Sequence, residues 1–303
     1  MTARLRALCL VLLLAIAGCT TAGSGEGGVV VTTNILGDLT RAVVGDQTQV
    51  TVLMKPNTDP HSFAISAQEA ARLEQAELIV YNGLGLEEGV QRNVDAAATA
   101  GVPTVAVGEQ VDPIRYRGDE QAGEPDPHFW TDPRRVRTAV EAITERVVRD
   151  VGGVDDTVIR ANAAAYLERV DELDRWMTAR FAVIPVQQRK LVTNHHVFGY
   201  LAERYGFEVV GAVVPSGTTL ASPSASDLSE LAGTVRAAGV GAIFADSSQP
   251  DRLARVLADQ AGVRVRVLPL YSESLTGPDG GAPTYVDMMR ANTDTIVAGL
   301  GRN

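Results

Sequence analysis

Short β-rich runs alternate with amphipathic helical stretches along the chain, and this alternation constrains the fold more than any other feature. In the first half the candidate strands are "VVVTTNI", "TQVTVLM", "ELIVYNG" and "TVAVG", with helical patterns such as "SAQEAARLEQA" between them. The alternation restarts in the second half with "KLVTN", "FEVVGAVV", "GAIFAD" and "VRVRVLPLY". Strands separated by helices favour a parallel sheet, because parallel neighbours need a crossover connection. The sequence therefore predicts an α/β fold.

An unusually long helical pattern separates the two blocks. Over residues 155–182 apolar side chains recur at steps of three and four residues, at Leu167, Val170, Leu173 and Met177. A single long helix in mid-chain is suited to act as a strut between two lobes. We therefore predict two similar lobes with central parallel sheets, joined by one helix. One large doubly wound sheet is the alternative that this pattern leaves open.

The first 18 residues have the pattern of an export signal. Arg4 and Arg6 precede the apolar run "ALCLVLLLAIAG", which is shorter than a typical membrane span and stops at Cys19. The ending "IAGC" resembles a bacterial lipobox, in which Cys19 is lipidated and becomes the mature N-terminus; plain secretion is the alternative. Cys9 would leave with the signal, so we expect no internal disulfide.

These patterns divide the chain into five predicted parts. They are a signal peptide (1–18), a flexible tether (19–28), a first α/β lobe (29–150), a linking helix (151–182) and a second α/β lobe (183–303). Within the lobes, helices are predicted at 133–148, 197–205, 225–238 and 250–261. The formal net charge is -10 and the lobes contain no cluster of Lys and Arg, which argues against nucleic acid as a partner.

The chain has four histidines, and all of them lie at junctions between predicted elements. His61 and His128 each end an Asp-Pro-His triplet, in "NTDPHSF" and "EPDPHFW", while His195 and His196 form a doublet in "TNHHVFGY". Proline restricts its own φ and the residue before it, so each triplet holds an imidazole on a stiff turn. In open α/β sheets such junctions bind ligands. Three convergent imidazoles suit zinc, copper or nickel better than calcium or magnesium.

A fourth ligand is expected to be a carboxylate or water. Asp246 in "GAIFADSS" and Glu273 in "LPLYSESL" both follow strands, and the residues alone do not choose between them. Other chemistries leave weaker signals. The glycines of "LIVYNGLGLEEG" miss the dinucleotide fingerprint by one residue, and the chain has neither a G-x-S-x-G elbow nor an H-E-x-x-H zinc-protease motif.

Several motifs carry a family resemblance. They are the lipobox, "NILGDLTRAVVGD", "DPHSF", "QEAARLEQAELIVYNGLGLE", "DPHFWTDP", "HHVFGYLAERYGF" and "YSESLTGPDGGAPTYVDMMRANTDTI". In this order they resemble the zinc- and manganese-binding proteins of bacterial ABC transporters, the cluster A-I solute-binding lipoproteins. The resemblance covers nearly the whole mature length. It implies two α/β lobes joined by a rigid helix, a metal ion in the cleft between them, and no enzymatic activity.

The resemblance also implies a ligand set. His61 and His128 match the two first-lobe histidines of the family. The third ligand of the family immediately precedes a segment similar to "HVFGY", which selects His195 over His196. The fourth family ligand is usually an aspartate, and here Glu273 takes that place. If Glu273 does not bind the metal, water or Asp246 is the next candidate.

Family members with histidine as the third ligand tend towards zinc, whereas those with a carboxylate there tend towards manganese. The resemblance therefore implies Zn(II), with Mn(II) as the alternative. The stretch "RGDEQAGEPDP" lacks the histidines of the zinc-type loop, so metal capture by this loop is not expected. We expect a monomer, exported and lipid-anchored on the outer face of the cytoplasmic membrane or in the periplasm, that delivers metal to a membrane permease.

Two other functions fit the same residues. A secreted zinc hydrolase would use the three histidines as ligands and Glu273 as general base, and its zinc would keep one position open for water. An adhesin-like surface protein would use the metal only for structure.

Overall fold

The computed structural model describes residues 27–116, 122–262 and 265–301. The predicted signal peptide, the lipidation site at Cys19 and all but the last two residues of the predicted tether lie outside the described residues. Within the described ranges, no helix combines the length and the apolar character needed to cross a membrane.

The first sheet contains four parallel strands in the order β2-β1-β3-β4. The strands are β1 (Val29–Val31), β2 (Val50–Val52), β3 (Leu78–Tyr81) and β4 (Thr104–Ala106). Its helices are α1 (Asn34–Val44), α2 (Ala67–Gln75), α3 (Gln91–Thr99), α4 (Val107–Gln110) and α5 (Pro133–Asp150), with a 3₁₀ turn at Phe129–Thr131. We call this unit the first lobe.

The second sheet has four parallel strands in the order β6-β5-β7-β8, the same arrangement as in the first sheet. The strands are β5 (Lys190–Thr193), β6 (Glu208–Ala212), β7 (Ala242–Asp246) and β8 (Arg266–Leu270). A 3₁₀ turn (Val186–Gln188), α7 (Gly199–Tyr205), α8 (Ala225–Ala238), α9 (Arg252–Ala261) and α10 (Tyr285–Leu300) complete this second lobe. The prediction of two similar α/β lobes is confirmed.

Helix α6 (Asp156–Phe181) lies between the two lobes in the chain and has 26 residues, which makes it about 39 Å long. Its buried side chains recur at steps of three and four residues, and they are Ile159, Ala163, Tyr166, Val170, Leu173, Met177 and Phe181. This stripe packs against α1 and α5 on one side and α10 on the other. The largest cluster of buried apolar side chains runs through α6 and includes residues of both lobes. The residue at which each lobe ends stays a prediction.

Local signals in the sequence explain where two helices begin. At α2 a capping box forms, because Ser66 Oγ accepts the Glu69 N–H at 3.3 Å and Glu69 Oε2 accepts the Ser66 N–H at 2.7 Å. At α5, Asp132 Oδ1 accepts the Arg134 N–H at 2.8 Å, and Pro133 occupies the first turn, where a missing N–H costs nothing.

Candidate metal centre

Four side chains from separate segments converge between the lobes: His61, His128, His195 and Glu273. One ligand atom of each lies within 4.8 Å of the others. Glu273 Oε1 is 3.2 Å from Nε2 of each histidine, and the Nε2 atoms of His61 and His128 are 3.4 Å apart. All four residues are at most 2% exposed. The structure therefore brings together the four residues that the family resemblance implied.

Each lobe contributes two of these residues, and His61, His195 and Glu273 lie in loops that follow the carboxyl ends of strands. His61 lies in a turn after β2, and His128 immediately precedes the 3₁₀ turn at Phe129–Thr131. His195 comes two residues after the end of β5, and Glu273 comes three residues after the end of β8. Parallel strands direct their carboxyl ends to one edge of a sheet, so two facing sheet edges can form a cleft lined by such loops.

The aspartate of each Asp-Pro-His triplet orients the histidine that follows. Asp59 Oδ1 accepts the His61 N–H at 2.9 Å, and Asp126 Oδ1 accepts the His128 N–H at 2.9 Å. An aspartate that bonds the backbone two residues ahead forms an Asx turn. The stiff turn predicted from proline is therefore closed by the aspartate side chain as well.

His128 has a further partner that holds the orientation of its ring. Asp126 Oδ1 lies 2.8 Å from His128 Nδ1, and the Tyr116 hydroxyl lies 3.3 Å from the same nitrogen. A carboxylate on one ring nitrogen turns the other towards the metal and makes it a stronger ligand. Within the described part of the chain, the Nδ1 atoms of His61 and His195 are buried without a hydrogen-bond partner. The carboxylate partner is therefore particular to His128.

His196 and Asp246, the two alternatives from the sequence, lie outside the four-residue cluster. The His196 N–H donates to the Ser216 carbonyl at 3.0 Å. Asp246 accepts hydrogen bonds from the Ser248 N–H at 2.7 Å and from the hydroxyl groups of Ser248 and Ser272. Asp246 thus holds Ser272, the neighbour of Glu273, and its oxygens are already engaged in hydrogen bonds.

Neighbouring groups shift the pKa values of Glu273 and His128 so that each favours its charged form. Burial alone would raise the pKa of Glu273, but the neighbouring His195, His61 and His128 hold it well below its usual range. Burial alone would lower the pKa of His128, but hydrogen bonds to Asp126 and Glu273 outweigh it and raise this pKa to about 9. Near neutral pH the metal-free cluster therefore contains an ionised carboxylate and a protonated His128.

The segment that carries Glu273 is tied to the first lobe. The Trp130 indole N–H donates to the Ser272 carbonyl at 2.8 Å. Asn34 Nδ2 donates to Ser274 Oγ at 2.8 Å, and Asn34 Oδ1 accepts the Leu275 N–H at 2.9 Å. First-lobe side chains thus fix both sides of Glu273, a candidate ligand that belongs to the second lobe in the sequence.

Sequence reasoning assigned no role to Asn34 or Trp130 in holding the segment that carries Glu273. In the sequence both residues belong to family motifs, Asn34 to "NILGD" and Trp130 to "DPHFW". Their partners are at least 142 residues away in the chain, so no local pattern marks them.

We predict that Trp130→Phe lowers the free energy of unfolding by about 2 kcal/mol, because it leaves the buried Ser272 carbonyl without its donor and removes packed ring atoms. Trp176→Phe is the matched control, since Trp176 is the other tryptophan of the chain and lies partly exposed under Arg180 and Arg290. We expect it to cost less than about 1 kcal/mol. Urea unfolding of the two metal-free variants measures both values, and equal losses would contradict the anchoring role of Trp130.

Comparisons with known proteins agree with this geometry. The family described as zinc-uptake complex component A, periplasmic (ZnuA), matches residues 29–299. The manganese-binding lipoprotein MntA of Halalkalibacterium halodurans is 31% identical over 300 residues, 97% of each chain.

Solved structures of periplasmic metal-binding proteins are also similar to this chain. The periplasmic zinc-binding protein TroA of Treponema pallidum superimposes with a TM-score of 0.83 at 32% identity, over 90% of this chain and 99% of that one. A manganese-bound periplasmic metal-binding protein from Candidatus Liberibacter asiaticus superimposes with a TM-score of 0.78 at 28% identity, over the same shares of the two chains. The protein thus binds divalent metal as a substrate and is not an enzyme. The chain belongs to the ZnuA family, the metal-binding substrate-binding components of ABC importers.

Proposed function

We propose that this protein captures Zn(II) outside the cytoplasm through His61, His128, His195 and Glu273 and delivers it to the membrane permease of its importer. In this proposal Cys19 carries the lipid that holds the protein at the membrane. The relatives include proteins named for zinc and proteins named for manganese, so the geometry of the site must distinguish the two metals.

The observation that carries the proposal is the near three-fold arrangement of the donors. Glu273 Oε1 is equally far, 3.2 Å, from the three imidazole Nε2 atoms. The ring centroids form a nearly equilateral triangle with sides of 5.5, 5.5 and 5.3 Å. A tetrahedron with zinc–ligand bonds of about 2.0–2.1 Å has edges of about 3.4 Å. The three separations of 3.2 Å from Glu273 and the 3.4 Å separation between His61 and His128 are therefore close to those that four-coordinate zinc requires.

An octahedral site, which manganese prefers, would need a different shape. Any four corners of an octahedron include an opposite pair, whose donor atoms lie about 4 Å apart or more. Two opposite imidazoles would also have ring centroids about 6–7 Å apart. The distances of 3.2 Å from Glu273 Oε1 to the imidazole nitrogens are too short for an opposite pair that includes the carboxylate. The ring-centroid separations of 5.5, 5.5 and 5.3 Å are too short for an opposite pair of imidazoles. Three nitrogen donors with one oxygen also suit zinc better than manganese, which prefers oxygen.

Cobalt(II) gives a direct test of coordination geometry, because tetrahedral Co(II) absorbs visible light far more strongly than octahedral Co(II). We expect one Co(II) per chain, an intense visible band, and its complete loss when one equivalent of Zn(II) is added. Mn(II) is expected to displace Co(II) only at a much higher concentration, as the order of divalent-metal affinities requires.

His61→Ala and Glu273→Ala are the matched variants for this test. Each removes one of the four donors, so each is expected to weaken Zn(II) binding and to change the cobalt band. A weak band in the unaltered protein, together with Mn(II) binding as tight as Zn(II) binding, would contradict a tetrahedral zinc site.

A further inference from the structure

The metal centre is closed off from solvent, which raises the question of how an ion leaves it. All four ligand residues are at most 2% exposed. An ion therefore passes only if residues around the cleft move apart. The contacts that join the two lobes next to the ligands are the candidates for controlling this step.

The carboxylate group of Asp59 makes such contacts. Its Oδ1 accepts the His61 N–H within the first Asp-Pro-His turn. Its Oδ2 accepts hydrogen bonds from Thr219 Oγ1 at 2.6 Å and from Gln249 Nε2 at 2.9 Å, both of which belong to the second lobe. Ser62 Oγ, in the first lobe, donates to the same oxygen at 2.9 Å. One carboxylate thus joins the turn of a metal ligand to the opposite lobe.

The two second-lobe donors come from different loops. Thr219 lies in the loop between β6 and α8, and Gln249 lies in the loop between β7 and α9. Both are partly exposed, whereas Asp59 is buried, so the two donors lie at the rim of the cleft. Hydrogen bonds to an ionised carboxylate are stronger than bonds between neutral groups. Two such bonds at the rim oppose separation of the lobes.

We propose that Thr219 and Gln249 are positioning residues that latch the second lobe onto Asp59, and that breaking these two hydrogen bonds controls the rate at which the metal ion leaves. This inference rests on the proposed function, because it takes His61 and the other three residues as the metal ligands. Opening the latch leaves the Asp59–His61 bond intact, since that bond lies within one turn of the first lobe.

If these two hydrogen bonds hold the cleft closed, removing them changes the rate of zinc release without changing the metal ligands. Thr219→Val and Gln249→Leu each remove one donor to Asp59 and leave all four ligands in place. The closed form becomes less populated, so zinc leaves faster, while entry of zinc into the open form is not slowed. We expect the zinc release rate to rise about tenfold in each single variant and more in the double variant, with a smaller change in the association rate.

Stopped-flow mixing of the zinc-loaded full chain with excess chromogenic chelator measures release. Ser62→Ala is the matched control, because it removes a donor to the same oxygen from within the first lobe. We expect its release rate to stay within about twofold of the unaltered protein. Thr219→Ser keeps the hydroxyl and is expected to restore slow release.

Several outcomes would overturn the latch. They are unchanged release in the double variant, equal acceleration by Ser62→Ala, or failure of Thr219→Ser to restore slow release. Urea unfolding of each variant separates the latch from a merely structural role, since lower stability with unchanged release also overturns it. Failure of the unaltered chain to bind zinc would instead contradict the proposed function, and the two failures are therefore distinguishable.

Discussion

His195→Ala lowers the affinity for zinc by at least about a hundredfold, whereas His196→Ala leaves it within a few-fold. A four-ligand zinc site with a binding free energy of about 10–16 kcal/mol receives on the order of 3 kcal/mol from each ligand. His195 Nε2 lies 3.2 Å from Glu273 Oε1 inside the cluster, while His196 is outside it. The backbone of the doublet bends after the end of β5, and only His195 enters the cluster.

Competitive titration of both variants with a zinc chelator measures this difference. Circular dichroism of the metal-free variants checks that each one is folded. Loss of binding in His196→Ala with binding retained in His195→Ala would show that the ligand is the second histidine of the doublet.

We expect the affinity for zinc to fall by about a hundredfold between pH 8 and pH 6. Metal ligands must be unprotonated, and the pKa of His128 in the metal-free protein is raised to about 9 by its hydrogen bonds to Asp126 and Glu273, which outweigh burial. Over this whole interval zinc must therefore displace the His128 proton. One displaced proton lowers the apparent affinity about tenfold for each pH unit.

The raised pKa of His128 also makes the stability of the metal-free fold depend on pH. The folded pKa of His128 lies above the unfolded value of about 6.5, so the proton stabilises the metal-free fold fully below pH 6.5. This stabilisation is lost as the pH rises through about 9. The proton that stabilises the metal-free fold is therefore the same proton that zinc must displace, so acidification favours the metal-free form.

Calorimetric titration in two buffers with different ionisation enthalpies counts the protons that zinc releases. We expect at least about one proton per zinc at pH 7. Asp126→Asn removes the charge beside His128 Nδ1, lowers the pKa of His128 and makes the affinity less dependent on pH. An affinity that is the same at pH 6 and pH 8 would contradict histidine ligation.

The sequence predicted the strands well. All eight candidate strand segments contain an observed strand, because short β-rich runs bounded by turns are a local signal. Helices α1, α3, α4 and α10 have no counterpart among the predicted helices. The buried face of α10 includes Asn292, Thr293 and Gly299, which interrupt the apolar period. A Cβ at Gly299 would lie 2.9 Å from the Phe244 ring, so close packing keeps that position free of an apolar side chain.

The sequence by itself determined the order of the strands, the two Asp-Pro-His turns and the candidate ligands, which are the histidines, Asp246 and Glu273. These features depend on residues within a few positions of each other. The tertiary structure decided that Glu273 rather than Asp246 enters the cluster, since Ser248 and Ser272 engage the oxygens of Asp246.

Only the tertiary structure joined Asp59 to Thr219 and Gln249, which lie 160 and 190 residues further along the chain. No local pattern encodes such pairs, because the packing of α1 and α5 of the first lobe and of α10 of the second lobe on α6 sets their distances.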